Sequence, residues 1–383
     1  MKRTVCCVLL ICLLLGVVPW SAQAVNMDLP VKSAILMDVA TGTILYEQNA
    51  HEALAPASVT KVMTMLLIME AIDGGQIGWQ DQVTTSEAAA AKGGSQVYLK
   101  VGEQMTVADM VKAIAVSSAN DCACAMAEHI AGSETAFVEK MNQRAKELGM
   151  NDTNFVNCTG LDDDAAAADH KTSAHDIGIM SCQLLKYHPD IKKYTTIWMD
   201  TLRNGTFGLS NTNKMVRFYP GATGLKTGFT SKAGYCLSAS AQRDGMELVA
   251  VVMGAKTSAE RFSACKSLLD YGFSTYAQVS PQIGEMSVPV TLGEADRVKA
   301  VPAEDATLLI EKAQKNMINI KTELEEGVNA PVSRGQKLGM LTVQAGDYVL
   351  KQIPLVAEEG VSRLSFGQLW VQVLRALTMS AKK

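Results

Sequence analysis

The sequence predicts an α+β fold: an antiparallel sheet flanked by helices, interrupted by a helical subdomain, then a small all-β domain and an amphipathic tail helix. Three observations carry this. Strand-like stretches bracket a long run of helical periodicity. Composition shifts around Val279 to Gly284, where Pro281 and Gly284 mark a linker. The last two dozen residues gather their apolar side chains on one helical face.

Residues 1–24 read as an export signal: Met1-Lys2-Arg3 is the positive end, Val5 to Val18 the apolar core, and Ala22-Gln23-Ala24 a small-x-small cleavage site. A membrane-spanning anchor is the alternative for so short a core. Removal leaves about 359 residues, too many for one core, and takes the net charge from -4 to about -6. With no basic stripe, a nucleic-acid partner is not expected. Cys6, Cys7 and Cys12 leave with the signal. Cys122, Cys124, Cys158, Cys182, Cys236 and Cys265 remain, and their pairing is open. Without a Cys-x-x-Cys pair they read as small buried apolar side chains; no metal and no cofactor is expected.

Ala34 to Met37 and Ile44 to Tyr46 form a hairpin around Ala40-Thr41-Gly42. Val62 to Glu70 is almost wholly apolar, too short to span a bilayer, and reads as a buried helix. Pro56 suits its first turn. Ser58 then sits near the helix N-terminus with Lys61 on the same face. A serine is a weak nucleophile alone and needs such a base. Alone the Ser-x-x-Lys spacing is poor evidence, since it recurs at Ser263…Lys266 and Ser380…Lys383.

From Thr84 to about His188 the chain is mostly helical, with Ser117-Ser118-Ala119-Asn120 a polar break between two apolar-periodic helices. Asn157 to Lys171 is a polar loop carrying Asp162-Asp163-Asp164. Strands follow at Leu225 to Thr230, Tyr235 to Ala241 and Glu247 to Met253, then an amphipathic helix from Ser258 to Tyr276. Residues 285–356 hold short strands rich in Val, Thr, Gly and Pro, a separate β domain. In the tail helix, residues 360–383, Phe366, Leu369, Trp370, Val373, Leu374 and Leu377 share a face, which fits a helix lying in a membrane surface or packed on the protein itself.

Three motifs stand in chain order: Ser58-Val59-Thr60-Lys61, Ser118-Ala119-Asn120 and Lys226-Thr227-Gly228. Each is weak alone; together they form the Ser-x-x-Lys, Ser-x-Asn, Lys-Thr-Gly set of the serine penicillin-interacting enzymes. The chain resembles the D-alanyl-D-alanine carboxypeptidases, low-molecular-mass penicillin-binding proteins. The likeness extends to Asp38-Val39-Ala40-Thr41-Gly42, Ala233-Gly234-Tyr235, Ala330-Pro331-Val332 with Gly335, the β domain and the tail. Phe229 stands where some members carry His after Lys-Thr-Gly.

The resemblance implies a β-lactamase/transpeptidase-like catalytic domain over residues 25–278, outside the cytoplasm, held at the outer face of the cytoplasmic membrane by its tail. It implies Ser58 as nucleophile, Lys61 as base and Ser118 as proton relay. Asn120, Lys226, Thr227 and Gly228 would bind a peptidoglycan stem peptide, with the backbone N–H groups of Ser58 and Phe229 as oxyanion hole. β-Lactams would be covalent inhibitors. For Lys61 to accept a proton its pKa must fall from ~10.4, through burial and the like charge of Lys226. Arg203 is a further candidate for the substrate carboxylate. The five histidines, His51, His129, His170, His175 and His188, read as structural or solvated. A β-lactamase and a non-catalytic wall-binding scaffold are the alternatives. Class A β-lactamases add a glutamate that activates water, and the loop Asn157 to Lys171 has none.

Overall fold

A computed structural model describes residues 27–162, 165–371 and 374. The export-signal reading, Asp163 and Asp164, and tail residues 372, 373 and 375–383 lie outside the described residues.

The first hairpin pairs β1 (Ser33–Asp38) with β2 (Ile44–Gln48). Far along the chain come β7 (Ala222–Thr230), β8 (Gly234–Arg243) and β9 (Met246–Ala255). All five join in one antiparallel sheet of order β2-β1-β9-β8-β7. The two-residue period of the strands sorts their side chains. Ile35, Met37, Val249 and Val251 face one core, together with Ile177 and Met180 of the helix Ala174–Tyr187. Leu36, Leu248, Ala250 and Val252 face the other, against Leu268 and Leu269 of the helix Ser258–Thr275. A Thr257–Glu260 capping box opens that last helix.

Along the chain, the helical subdomain is inserted between β2 and β7. Helix α1 (Lys61–Asp73) is buried on nearly every side, as its unbroken apolar run requires: Val62, Met63, Met65, Leu66 and Ile68 are all at 0% exposure. It packs with α2 (Val107–Ser117), α3 (Asn120–Ala131) and α4 (Glu134–Glu147). One strand pair, β3 (Gln82–Thr84) with β4 (Gln104–Thr106), interrupts the mostly helical stretch, and β5 (Met199–Leu202) pairs with β6 (Phe207–Ser210) after it. At three or four residues per strand they are too short to show a period. Among the described residues, Cys122, Cys124, Cys158, Cys182, Cys236 and Cys265 are buried and free.

Beyond residue 279 come β11 (Met286–Thr291), β12 (Arg297–Pro302), β14 (Ile318–Leu324), β15 (Val328–Asn329), β16 (Lys337–Ala345) and β17 (Tyr348–Ala357). They form a six-stranded sheet of order β14-β16-β17-β12-β11-β15 with its own core of Val288, Val298, Leu338, Leu341, Ile353 and Leu355. A separate pair, β10 (Tyr276–Val279) with β13 (Leu308–Glu311), ties this region to the end of the Ser258–Thr275 helix. After it the chain turns helical at residues 366–371. Among the described residues no helix is long and apolar enough to cross a membrane.

Candidate active site

Ser58 lies in a single 3-10 turn, Ala57–Thr60, which runs directly into α1 at Lys61. Ser58 thus precedes the α-helix instead of sitting in its first turn. The tighter turn still stacks residues three apart, and Lys61 Nζ lies 3.0 Å from Ser58 Oγ. The amine also donates to the Thr159 carbonyl at 2.8 Å. Lys61 is at 0% exposure. Burial lowers its pKa to about 7, against the opposing pull of Cys158 and Asp121. Lys226, 1% exposed, is pushed well below the ordinary lysine range by burial first, then by the charges of Lys61 and Arg261. The like-charge effect expected on Lys61 therefore falls on Lys226, whose amine donates to the Thr227 carbonyl at 2.9 Å.

The segment before Ser58 is shaped from outside. Ala57 adopts φ +48°, a left-handed conformation unusual for a residue with a Cβ. Two close approaches hold it. A Cβ on Gly160 (φ +81°) would lie 1.9 Å from Ala57 O, and a Cβ on Gly228 would lie 2.6 Å from Pro56 O and 3.1 Å from Ser58 N. Only glycine lets the 157–161 loop and β7 lie this close. Thr60 adds a buried link: its hydroxyl donates to Ala57 O at 2.9 Å and contacts His170 Nε2 at 2.8 Å. His170 Nδ1 accepts from Val156 N–H at 3.0 Å, so the proton is on Nε2 and points at Thr60. Burial, then the Lys61 charge, lowers the His170 pKa to about 4, keeping the ring neutral.

The second motif occupies the corner between α2 and α3. Ser118 caps α2 in a left-handed conformation (φ +65°) and is 4% exposed. Asn120 starts α3; its Nδ2 donates to Gly93 O at 2.7 Å, while its buried Oδ1 has no partner among the described residues. One residue connects this corner to β7. Thr212 N–H donates to Val116 O at 3.2 Å, and its hydroxyl bonds that of Thr227 at 2.7 Å. Phe229, 53% exposed, lays its ring on Tyr235 with centroids 4.3 Å apart.

Sequence reasoning missed several supports. Buried Arg261 donates to Gly228 O at 3.0 Å and Cys236 O at 3.3 Å from between the rings of Tyr235 and Phe262. Asp121 receives the N–H groups of Val97 and Leu99 and sets the 97–99 loop beside Asn120. Thr159 and His170 lie about a hundred residues from the motif they serve, with no local signal. Arg203, proposed for a substrate carboxylate, is committed elsewhere: it pairs with Glu103 at 2.7 Å and donates to Val97 O at 2.8 Å.

A serine–lysine pair of this geometry, with Lys-Thr-Gly on the adjoining strand, coincides with a family match. The D-alanyl-D-alanine carboxypeptidase profile matches residues 20–257, and that of the penicillin-binding protein 5 C-terminal domain matches residues 279–363. The chain belongs to the D-alanyl-D-alanine carboxypeptidase family. It is similar to D-alanyl-D-alanine carboxypeptidase DacF of Bacillus subtilis, 44% identical over 88% of this chain and 87% of that protein. Among solved structures it resembles penicillin-binding protein 5 of Haemophilus influenzae, with TM-score 0.74 and 30% identity over 88% of this chain and 99% of that one. It also resembles penicillin-binding protein D2 of Listeria monocytogenes in its ampicillin-bound form, with TM-score 0.59 and 32% identity over 65% of this chain and 99% of that one. The α+β architecture and the serine-peptidase class read from the sequence agree with these matches.

Proposed function

We propose that this carboxypeptidase removes the terminal D-Ala from peptidoglycan stem pentapeptides through an acyl-enzyme on Ser58. The observation that carries the reading is the 3.0 Å contact between Ser58 Oγ and a fully buried amine whose pKa is lowered to about 7. Neutral Lys61 takes the Ser58 proton as Oγ attacks the penultimate D-Ala carbonyl. The oxyanion faces the backbone N–H groups of Ser58 and Phe229, donors worth roughly 3 kcal/mol each. Ser118 relays a proton to the leaving D-Ala amine, and water then releases the tetrapeptide. Asn120 binds the acyl side-chain amide, which gives its buried Oδ1 a partner. Lys226 and Thr227 hold the C-terminal carboxylate, and Gly228 lets the substrate backbone lie against β7.

A β-lactam presents the same carbonyl and carboxylate and acylates the same serine. Mass spectrometry after penicillin treatment tests this: a one-to-one adduct on the Ser58 peptide that vanishes in Ser58→Ala is expected. Its persistence in the variant, or no adduct on the wild type, refutes the assignment. Rapid nitrocefin turnover would instead favour a β-lactamase.

The working site is outside the cytoplasm, reached through the 1–24 signal, with residues 25–278 as catalytic domain and 285–356 as β domain. The tail at 360–383 lies in the membrane surface. Phe366, Trp370 and Leu374, spaced four apart, are 76%, 53% and 54% exposed, and the Phe366 and Trp370 rings are 6.3 Å apart. The full chain should pellet with anionic vesicles while a chain ending at residue 359 does not; equal behaviour removes the anchoring proposal.

A further inference from the structure

Away from Ser58, three potential metal ligands from distant parts of the chain converge. His51 follows β2, Asp152 ends the turn after α4, and His175 opens the helix Ala174–Tyr187. Each offers one ligand atom, and the three lie within 4.8 Å of one another. His51 Nδ1 already contacts Asp152 Oδ2 at 2.8 Å, and the two imidazole centroids are 4.3 Å apart.

The surroundings are organised as a metal site requires. Asp176, 1% exposed, contacts His175 Nδ1 through Oδ1 at 3.2 Å. Its Oδ2 accepts from Asp152 N–H at 2.8 Å and from the Thr153 hydroxyl at 2.7 Å. One buried carboxylate thus orients two of the three ligands. Donation from His175 Nδ1–H leaves Nε2 with the lone pair. A carboxylate behind a ligating histidine is the usual outer support of such sites.

We propose that His51, Asp152 and His175 bind a divalent transition-metal ion of the zinc class, leaving a fourth position to water. Two imidazoles and a carboxylate suit zinc better than calcium or magnesium, which take oxygen ligands. Tetrahedral bonds of about 2.0–2.1 Å bring ligand atoms to roughly 3.4 Å apart, a closure that the exposed His51 side chain supplies by rotation. The ion takes the place of the hydrogen bond between His51 Nδ1 and Asp152 Oδ2.

The metal would staple two segments that lead into the active site. His175 N–H donates to Ala50 O, and Leu54 and Thr172 exchange backbone bonds at 2.8 and 2.9 Å. From there one segment reaches Ser58 in four residues, and the other carries His170 and Thr159. The role is structural, and separate from the Ser58 assignment.

The test is calorimetric titration of untagged, chelator-treated protein with zinc chloride, alongside His51→Ala and Asp152→Asn. One ion per chain with micromolar or tighter affinity is expected, with a zinc-induced rise in Tm. Affinity should fall at least tenfold in both variants while the penicillin adduct on Ser58 still forms. Cobalt should give tetrahedral visible absorption in the wild type only. Absence of stoichiometric uptake, or uptake unchanged by His51→Ala, overturns the proposal. Because His51 is exposed, its loss leaves the fold intact, and the metal-free Tm of each variant verifies this.

Discussion

A pH profile of acylation tests the central physical argument. An ordinary lysine with a pKa near 10.5 is neutral in about one molecule in three thousand at pH 7. With its pKa lowered to about 7, Lys61 is neutral in about half. Burial therefore raises the population of the base about a thousandfold. The second-order rate constant for acylation by a fluorescent penicillin should climb about tenfold per pH unit below 7 and level off above it. Lys61→Arg, charged at all accessible pH, should lose the reaction by at least 10²-fold with its fold retained by circular dichroism. A profile flat from pH 5.5 to 8.5, or an inflection near 10, would show that burial does not set the protonation of this amine.

Two further outcomes follow from the same geometry. Gly228→Ala puts a Cβ 2.6 Å from Pro56 O and 3.1 Å from Ser58 N; β7 must retreat, and penicillin acylation should slow by about 10²-fold. An unchanged rate constant would mean that β7 does not define the site. For His170, the folded pKa of about 4 lies below the reference 6.5. The unfolded chain takes up the proton first as pH falls. Stability is therefore full above about pH 6.5 and declines towards pH 4, by about 3 kcal/mol. Urea unfolding at pH 7 and pH 4.5 should show a steeper acid loss in wild type than in His170→Gln; parallel losses would rule out the neutral buried ring as the cause.

The sheet and its helices were legible because their runs are long and cleanly bounded: Tyr235 to Ala241 and the Val-rich apolar run Glu247 to Met253 are set off by Gly234 and by Asp244-Gly245, and α1 is almost wholly apolar. The short strands at 82–84 and 104–106 were not, since three residues carry no period. In the site, the motif residues announced themselves by type and order. What surrounds them did not. Thr159 supplies only a backbone carbonyl, which any residue has. His170 acts through Thr60 from 110 residues away. Arg261 carries no local signal on its amphipathic helix, yet it is 7% exposed and holds two strand carbonyls. Arg203 misled for the converse reason: a lone arginine reveals nothing of the Glu103 waiting in the tertiary structure.

The left-handed Ala57 is held in place by a glycine from the 157–161 loop and another from β7, neither of them near it in sequence. Ser58 and Lys61 are neighbours from the moment of synthesis, but in an extended chain the amine keeps its water shell and its proton. Reactivity consequently arrives last, when the sheet closes over residues separated by more than a hundred and fifty positions. A nascent or misassembled chain carries every motif and no nucleophile, so labelling by penicillin reports completed folding as well as chemistry.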